Sequence, residues 1–164
     1  MSYEVILPTD IQGQQRKFEI VQGDWEKIGI ETTGKPMDGS AAWDAMMAPD
    51  GRYLDFDIHM WSWLGYIDPD FMLSVVLCNQ WGGWSDTGYC NKEYDKLYDE
   101  QGVALDPAKR KEVIRQAVKL IGEKAWQLAF NYKTIYHAWK PTVKNYQPSW
   151  GTDGWPLLDV WLDK

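Results

Sequence analysis

Polar and apolar positions along this chain change period several times, and each change marks an element. Tyr3 to Pro8 is a short apolar run that reads as a strand. Phe18, Val21, Trp25 and Ile28 then recur at helical spacing on one face. Asp10 is placed to cap that helix and Gly29 to end it. Ile30 to Thr33 returns as a strand, broken by Gly34-Lys35-Pro36. Ser40 offers an N-cap for a short helix through Trp43 and Met47, stopped before Pro49. From Tyr53 to Trp63 the pattern alternates. Leu54, Phe56, Ile58, Met60 and Ser62 share one face; Asp55, Asp57, His59, Trp61 and Trp63 share the other. That second face passes from charged to aromatic toward its C-terminal end, as suits a strand opening on a cleft.

Leu64 to Ile67 reads as a turn. Asp68-Pro69 is a helix start, with Asp as cap and Pro at the first helical position, and Phe71 to Leu77 fills the helix. Asn91 caps a helix through Tyr94, Leu97 and Tyr98. Asp106-Pro107 repeats the start signal for a long helix whose inner face is Val113, Ile114, Ala117, Val118, Ile121 and Ala125. Leu128 to Trp139, aromatic and β-branched, reads as a strand. Pro141, Pro148, Gly151, Gly154 and Pro156 mark an irregular tail. The order predicts an α/β fold, a small mixed sheet flanked by helices, in one domain over residues 1–164.

Charge and composition narrow the function. The chain of 164 residues carries 17 Lys+Arg against 24 Asp+Glu, a net charge of −7, which excludes the basic footprint of a nucleic-acid binder. Met1 to Pro8 lacks the marks of a signal peptide, and no apolar run reaches the roughly 18 residues of a membrane span. On these signals alone the chain reads as cytosolic or already processed. The 11 Trp, with 9 Tyr and 4 Phe, are rings that serve a core, an interface or a stacking pocket.

The residues offer little catalytic chemistry. No phosphate-cradling loop or nucleophile elbow occurs. Asp55/Asp57 and Asp68/Asp70 could work as paired carboxylates of a small hydrolase. The simpler reading is a solvated strand face and a helix cap. His59 and His137 lie far from each other and from the cysteines, so neither metal nor cofactor is expected. A Trp-rich protein-interaction module is a further alternative. Cys78 and Cys90 flank a loop rich in Gly, Asn, Ser and Asp; they form either a disulfide or two unrelated buried thiols. A disulfide there would stabilise by about 3 kcal/mol and imply an oxidising compartment.

Five motifs stand in a specific order: Lys27-Ile28-Gly29-Ile30-Glu31 after a helix, Trp61-Ser62-Trp63 ending the alternating segment, Asp68-Pro69-Asp70-Phe71, the run Tyr89 to Leu97, and Asp106-Pro107-Ala108-Lys109-Arg110. This order, over residues 3–164, resembles the extracytoplasmic solute-binding proteins of family 5. These serve ABC importers of oligopeptides, dipeptides, nickel and some oligosaccharides. The resemblance implies one lobe, the C-terminal one, of a longer two-lobed protein with a type II periplasmic-binding-protein fold. A signal peptide is then expected upstream, with a periplasmic or extracytoplasmic location. The implied partners are an oligosaccharide or peptide ligand and a membrane permease. Cys78 and Cys90 fall where some members carry a disulfide. In peptide binders an Asp three residues before the Asp-Pro holds the ligand amino terminus; Gly65 stands there, with Trp61, Ser62, Trp63 and Tyr66 around it. The resemblance therefore makes these five the expected ligand-binding residues. The rings favour a sugar face or another neutral ligand over a free amine. Trp25 and Trp126 are expected in packing. Trp81 and Trp84 either line the cleft or cover the loop. Trp139, Trp150, Trp155 and Trp161 belong to a tail that in the family returns toward the other lobe.

Overall fold

A computed structural model describes residues 1–46, 56–85, 87–132, 134, 136–148 and 157–163. The chain divides into two compact units: residues 1–63 with 75–91, and residues 64–74 with 92–164.

The first unit is built on β1 (Ser2–Pro8), α1 (Gln14–Glu26), β2 (Glu31–Met37), α2 (Gly39–Met46) and β3 (Ile58–His59). The sheet order is β2-β1-β3, and both pairings are parallel. Central strands of parallel sheets are covered on both faces and read as continuous apolar runs. Val5, Ile6 and Leu7 of β1 are accordingly all buried. Val5 and Leu7 meet Phe18 of α1 and Met60 in the core, with Trp25 and Ile58 packed against them.

The predicted α1 face holds for Phe18, Val21 and Trp25, but Ile28 lies beyond the helix and is 71% exposed. Gly29, at φ 80°, supplies the left-handed turn after α1, as expected. Asp10 does not cap α1; the N-cap is Gly13, at φ 83°, without a side-chain hydrogen bond. Ser40 does not cap α2. The Asp38 carboxylate accepts the Ser40 and Ala41 N–H groups, each at 3.0 Å. Met47 lies outside the described residues.

Gly34-Lys35-Pro36 does not break β2, which runs through all three. A Cβ on Gly34 would sit 2.8 Å from Leu7 Cδ1 and from Phe18 Cε1, so the missing side chain is what lets the strand lie under these core groups. Pro36 is tolerated because β2 is an edge strand and needs no donor on its open side.

The segment predicted as a strand from Tyr53 to Trp63 pairs only over Ile58–His59; Tyr53, Leu54 and Asp55 lie outside the described residues. Both ends of the pairing have side-chain stops. Met60 N–H reaches the Ile6 carbonyl at 3.1 Å, and the next donor in a parallel ladder would be Pro8, which has none. Buried Gln14 replaces it, its Nε2 donating to the Met60 carbonyl at 2.7 Å. At the other end the Asp57 carboxylate accepts the Glu4 N–H at 2.9 Å. The predicted division of faces holds from Ile58 to Trp61: Met60 and Ile58 join the α1 core, and the His59 and Trp61 rings are neighbours. Phe56, expected on the core face, instead packs its ring against His59 at 5.4 Å.

The second unit contains α3 (Asp70–Ser74), α4 (Lys92–Val103), α5 (Pro107–Lys124), β4 (Val143–Lys144) and β5 (Trp161–Leu162). The helix expected over Phe71 to Leu77 is shorter, and Leu77 instead precedes a 3-10 turn, Cys78–Gln80, of the first unit. Asp106 caps α5, accepting from Ala108 and Lys109 N–H, with Pro107 first in the helix. The inner face of α5 is Val113, Ala117 and Leu120; Val118, expected there, is exposed, and Ala125 is the left-handed cap. Tyr94 is fully buried and stacks edge-on to Trp126 at 5.5 Å.

Leu128 to Trp139 is not a strand among its described residues. Those residues have no ladder partner, and Tyr132 and Tyr136 are 94% and 90% exposed. Strand propensity needs a pairing edge to act on, and the described residues of this segment have none. The tail is less irregular than expected: β4 and β5 pair antiparallel. The α/β class with a small sheet and flanking helices stands. The three-stranded sheet is parallel throughout, and among the described residues antiparallel pairing is confined to β4–β5.

Candidate functional site

A string of aromatic rings runs through the first unit. Phe56 and His59 lie 5.4 Å apart, His59 and Trp61 5.3 Å, Trp61 and Trp43 6.0 Å, Trp43 and Trp84 6.0 Å, and Trp84 and Trp63 6.1 Å. Three segments contribute. His59, Trp61 and Trp63 alternate along one side of the chain at and beyond β3. Trp43 comes from α2, whose Ala42 and Met46 are buried one turn apart. Trp84 comes from the cysteine loop and is 47% exposed. Tilted and edge-on rings at these separations attract through their quadrupoles, each pair contributing about 0.5–1.5 kcal/mol beyond area burial. The result is a partly open indole face with Ser62 exposed beside it.

The disulfide is formed: Cys78 and Cys90 are joined, with their Cα atoms 4.4 Å apart. The alternative of two unrelated buried thiols is thereby set aside.

Gly65 and Tyr66 belong to the second unit. Gly65 is exposed, and a Cβ built on it meets nothing within 4 Å. Tyr66 stands edge-on to Phe71 at 4.9 Å. In the predicted set, Trp61, Ser62 and Trp63 are thus neighbours in one unit, and Gly65 and Tyr66 neighbours in the other.

The carboxylates are engaged structurally. Asp68 accepts both guanidinium N–H groups of Arg110, at 2.7 and 2.8 Å, and the Asp70 N–H at 2.9 Å. Arg110 and this backbone donor hold the Asp68 carboxyl down at about 2, so it carries no proton to give near neutrality. Gln101, almost fully buried, donates to Asp70 at 2.8 Å and accepts from Arg110 Nε at 3.1 Å. Tyr94 donates to the Leu73 carbonyl at 2.8 Å, and burial pushes its phenol well above the usual range. The network ties α3 to α4 and α5. Asp57 serves the backbone of β1, and its suggested partner Asp55 lies outside the described residues. His137 contacts the Tyr146 hydroxyl at 2.8 Å, beside Trp139. Among the described residues no group of three His, Cys, Asp or Glu is arranged to hold a metal.

Trp43 was not singled out by sequence, because no local pattern relates position 43 to positions 61 and 84. Trp84 lies on the indole face, and exposed Trp81 is in the same loop. Trp150 and Trp155 lie outside the described residues.

No family profile matches the chain. Over 139 residues it is 27% identical to Di/tripeptide-binding protein 3 of Pseudomonas aeruginosa, covering 80% of this chain and 24% of that protein. Over 135 residues it is 28% identical to Di/tripeptide-binding protein 1 of the same species, with the same shares covered. This chain resembles one part of the family 5 solute-binding proteins of ABC transporters. The fold agrees. An ABC transporter-associated periplasmic binding protein from Helicobacter pylori, solved with a peptide, superposes with a TM-score of 0.74 at 18% identity, over 99% of this chain and 31% of that one. A substrate-binding protein of Listeria monocytogenes gives 0.68 at 21%, over 76% and 25%. The chain therefore spans about a quarter of the curated relatives' length. These relatives are binding proteins rather than enzymes by name. No helix among the described residues is long and apolar enough to cross a membrane.

Proposed function

We propose that this chain is the C-terminal lobe of a longer extracytoplasmic solute-binding protein that captures a short peptide for the permease of an ABC importer. The observation that carries the reading is the 27% identity to a di/tripeptide-binding protein over 80% of the chain. The oligosaccharide expectation finds no support among these relatives, so peptide is the ligand class proposed. In the first unit Trp61, Ser62 and Trp63 are the proposed contacts; in the second, Gly65 and Tyr66. Indole faces suit apolar side chains and peptide planes alike. Gly65 offers no carboxylate, so a ligand ammonium would find its partner elsewhere in the longer protein. The lobe binds and releases without catalysis or cofactor. The disulfide fits an oxidising compartment, and a signal peptide upstream of this segment is part of the proposal.

Calorimetry of the full-length protein tests it. The dipeptide Met-Leu or trialanine should bind, and cello-oligosaccharides should not. Tight sugar binding with no peptide binding would overturn the peptide reading.

A further inference from the structure

We propose that the Cys78–Cys90 disulfide is a positioning device for Trp84, holding a glycine-rich loop so that this ring closes the indole face between Trp43 and Trp63. The consequence for ligand affinity rests on the function proposed above; the placement of the ring does not.

The loop begins from a well-anchored end. Val75, Val76 and Leu77 are buried, and the 3-10 turn Cys78–Gln80 follows directly. Gln80 then organises the turn. Its carbonyl accepts the N–H groups of Gly83 at 2.7 Å and Ser85 at 3.0 Å, and its side-chain Oε1 accepts from Trp84 N–H at 3.4 Å. Gly82, at φ 79°, takes the left-handed conformation that this reversal needs. Ser85 is buried at 1% exposure while its neighbour Trp84 is half exposed. The turn thus sinks its backbone at Ser85 and sends the Trp84 ring outward, onto Trp43 of α2 and Trp63 beyond β3.

The return limb is different in kind. Gly88 is again left-handed, at φ 61°, and Tyr89 and Cys90 are on the surface. Three glycines, at 82, 83 and 88, give the unfolded loop wide backbone freedom, which folding must remove. The edge-on contacts of the Trp84 ring with Trp43 and Trp63, at about 0.5–1.5 kcal/mol each, are small against that freedom. The disulfide removes much of it beforehand by bringing the return limb to the anchored one, with Cα atoms 4.4 Å apart. The bond between half-buried Cys78 and exposed Cys90 therefore acts on the indole face through one side chain.

Near-ultraviolet circular dichroism reads the coupled indoles directly. In the full-length protein, Trp84→Leu and the pair Cys78→Ala/Cys90→Ala should each diminish the same tryptophan signal, with the far-ultraviolet spectrum unchanged. The triple variant should lose nothing beyond Trp84→Leu, since the disulfide acts through that ring. Met-Leu affinity should fall about tenfold in each and no further in the triple. An intact tryptophan signal in Cys78→Ala/Cys90→Ala, or losses that add in the triple variant, would overturn the proposal. Should that pair fail to fold, dithiothreitol applied to the folded protein gives the same reading. Two electrons and two protons convert the disulfide to two thiols as the reagent closes to its cyclic disulfide. The signal should drop and return on reoxidation; indifference to reduction counts against the proposal. Absence of both Met-Leu and trialanine binding in the unaltered protein would refute the peptide reading instead, and the spectroscopic arm would still decide the placement of Trp84.

Discussion

Gly34→Ala concentrates the packing argument into a single methyl group. The added Cβ would stand 2.8 Å from Leu7 Cδ1, 2.8 Å from Phe18 Cε1 and 3.3 Å from Phe18 Cδ1. Carbon atoms pack best at about 3.5–4.0 Å, so both side chains must retreat by roughly 1 Å. Both are held in the core: Leu7 and Phe18 are 2% and 4% exposed and pack with Val5 and Met60. Overpacking of this kind costs about 1–3 kcal/mol. Replacing glycine returns about 0.5–1 kcal/mol through a less disordered unfolded chain. The net expectation is a loss of roughly 1–2 kcal/mol, a melting temperature lower by about 2–8 °C at this chain length. Gly23→Ala is the matched control, since its Cβ meets nothing within 4 Å in the body of α1. It carries the entropy gain without the clash and should stabilise by about 0.5–1 kcal/mol. Thermal and urea unfolding of the two variants beside the parent protein measures both. Equal stabilisation by the two substitutions would refute the claim that Gly34 is required by Leu7 and Phe18. Partial rescue of Gly34→Ala by Leu7→Val would strengthen it.

Three other expectations follow from particular contacts. Asp106→Ala removes the cap whose carboxylate takes two N–H groups of α5, and should cost about 1 kcal/mol in urea unfolding, against a near-neutral Asp106→Asn. Arg110 lowers the Asp68 carboxyl from 3.8 to about 2 in the folded protein, so its contribution is full above pH 4 and fades as pH falls toward 2. Acid titration of stability should therefore be flatter over that window in Asp68→Asn, and an unchanged slope would count against the pairing. Gly65→Asp, placed in open space, should tighten binding of peptides with a free amino terminus by the full-length protein and leave N-acetylated peptides unaffected; equal effects on both would remove position 65 from ammonium recognition.

Short-range signals in this chain were legible because their physics is short-range. Asp106-Pro107 opens α5 as expected, since a cap and its N–H groups lie within three residues. Gly29 ends α1 for the same kind of reason, a left-handed conformation that glycine adopts freely. The alternation around Ile58 to Trp61 correctly separated core from outer face, because opposite orientation of neighbours is built into extended chain. The extent of strands was not legible. Whether β2 passes Gly34 and Pro36 depends on Leu7, Phe18 and a free sheet edge. Where β3 stops depends on Pro8 lacking a donor and Gln14 supplying one. Leu128 to Trp139 has strand composition, and its described residues have no partner strand.

The candidate site divides along the same line. Sequence marked Trp61 and Trp63, and the family resemblance pointed to the pairing of Cys78 with Cys90. Only the tertiary structure could bring Trp43 of α2 and Trp84 of the cysteine loop to the same face, and only it showed the Asp68 carboxylate committed to Arg110. Residue type and local spacing decide which groups are available, and they act through neighbours in the chain. Which of those groups meet is decided by loop closure and burial between positions forty residues apart, where no local preference reaches.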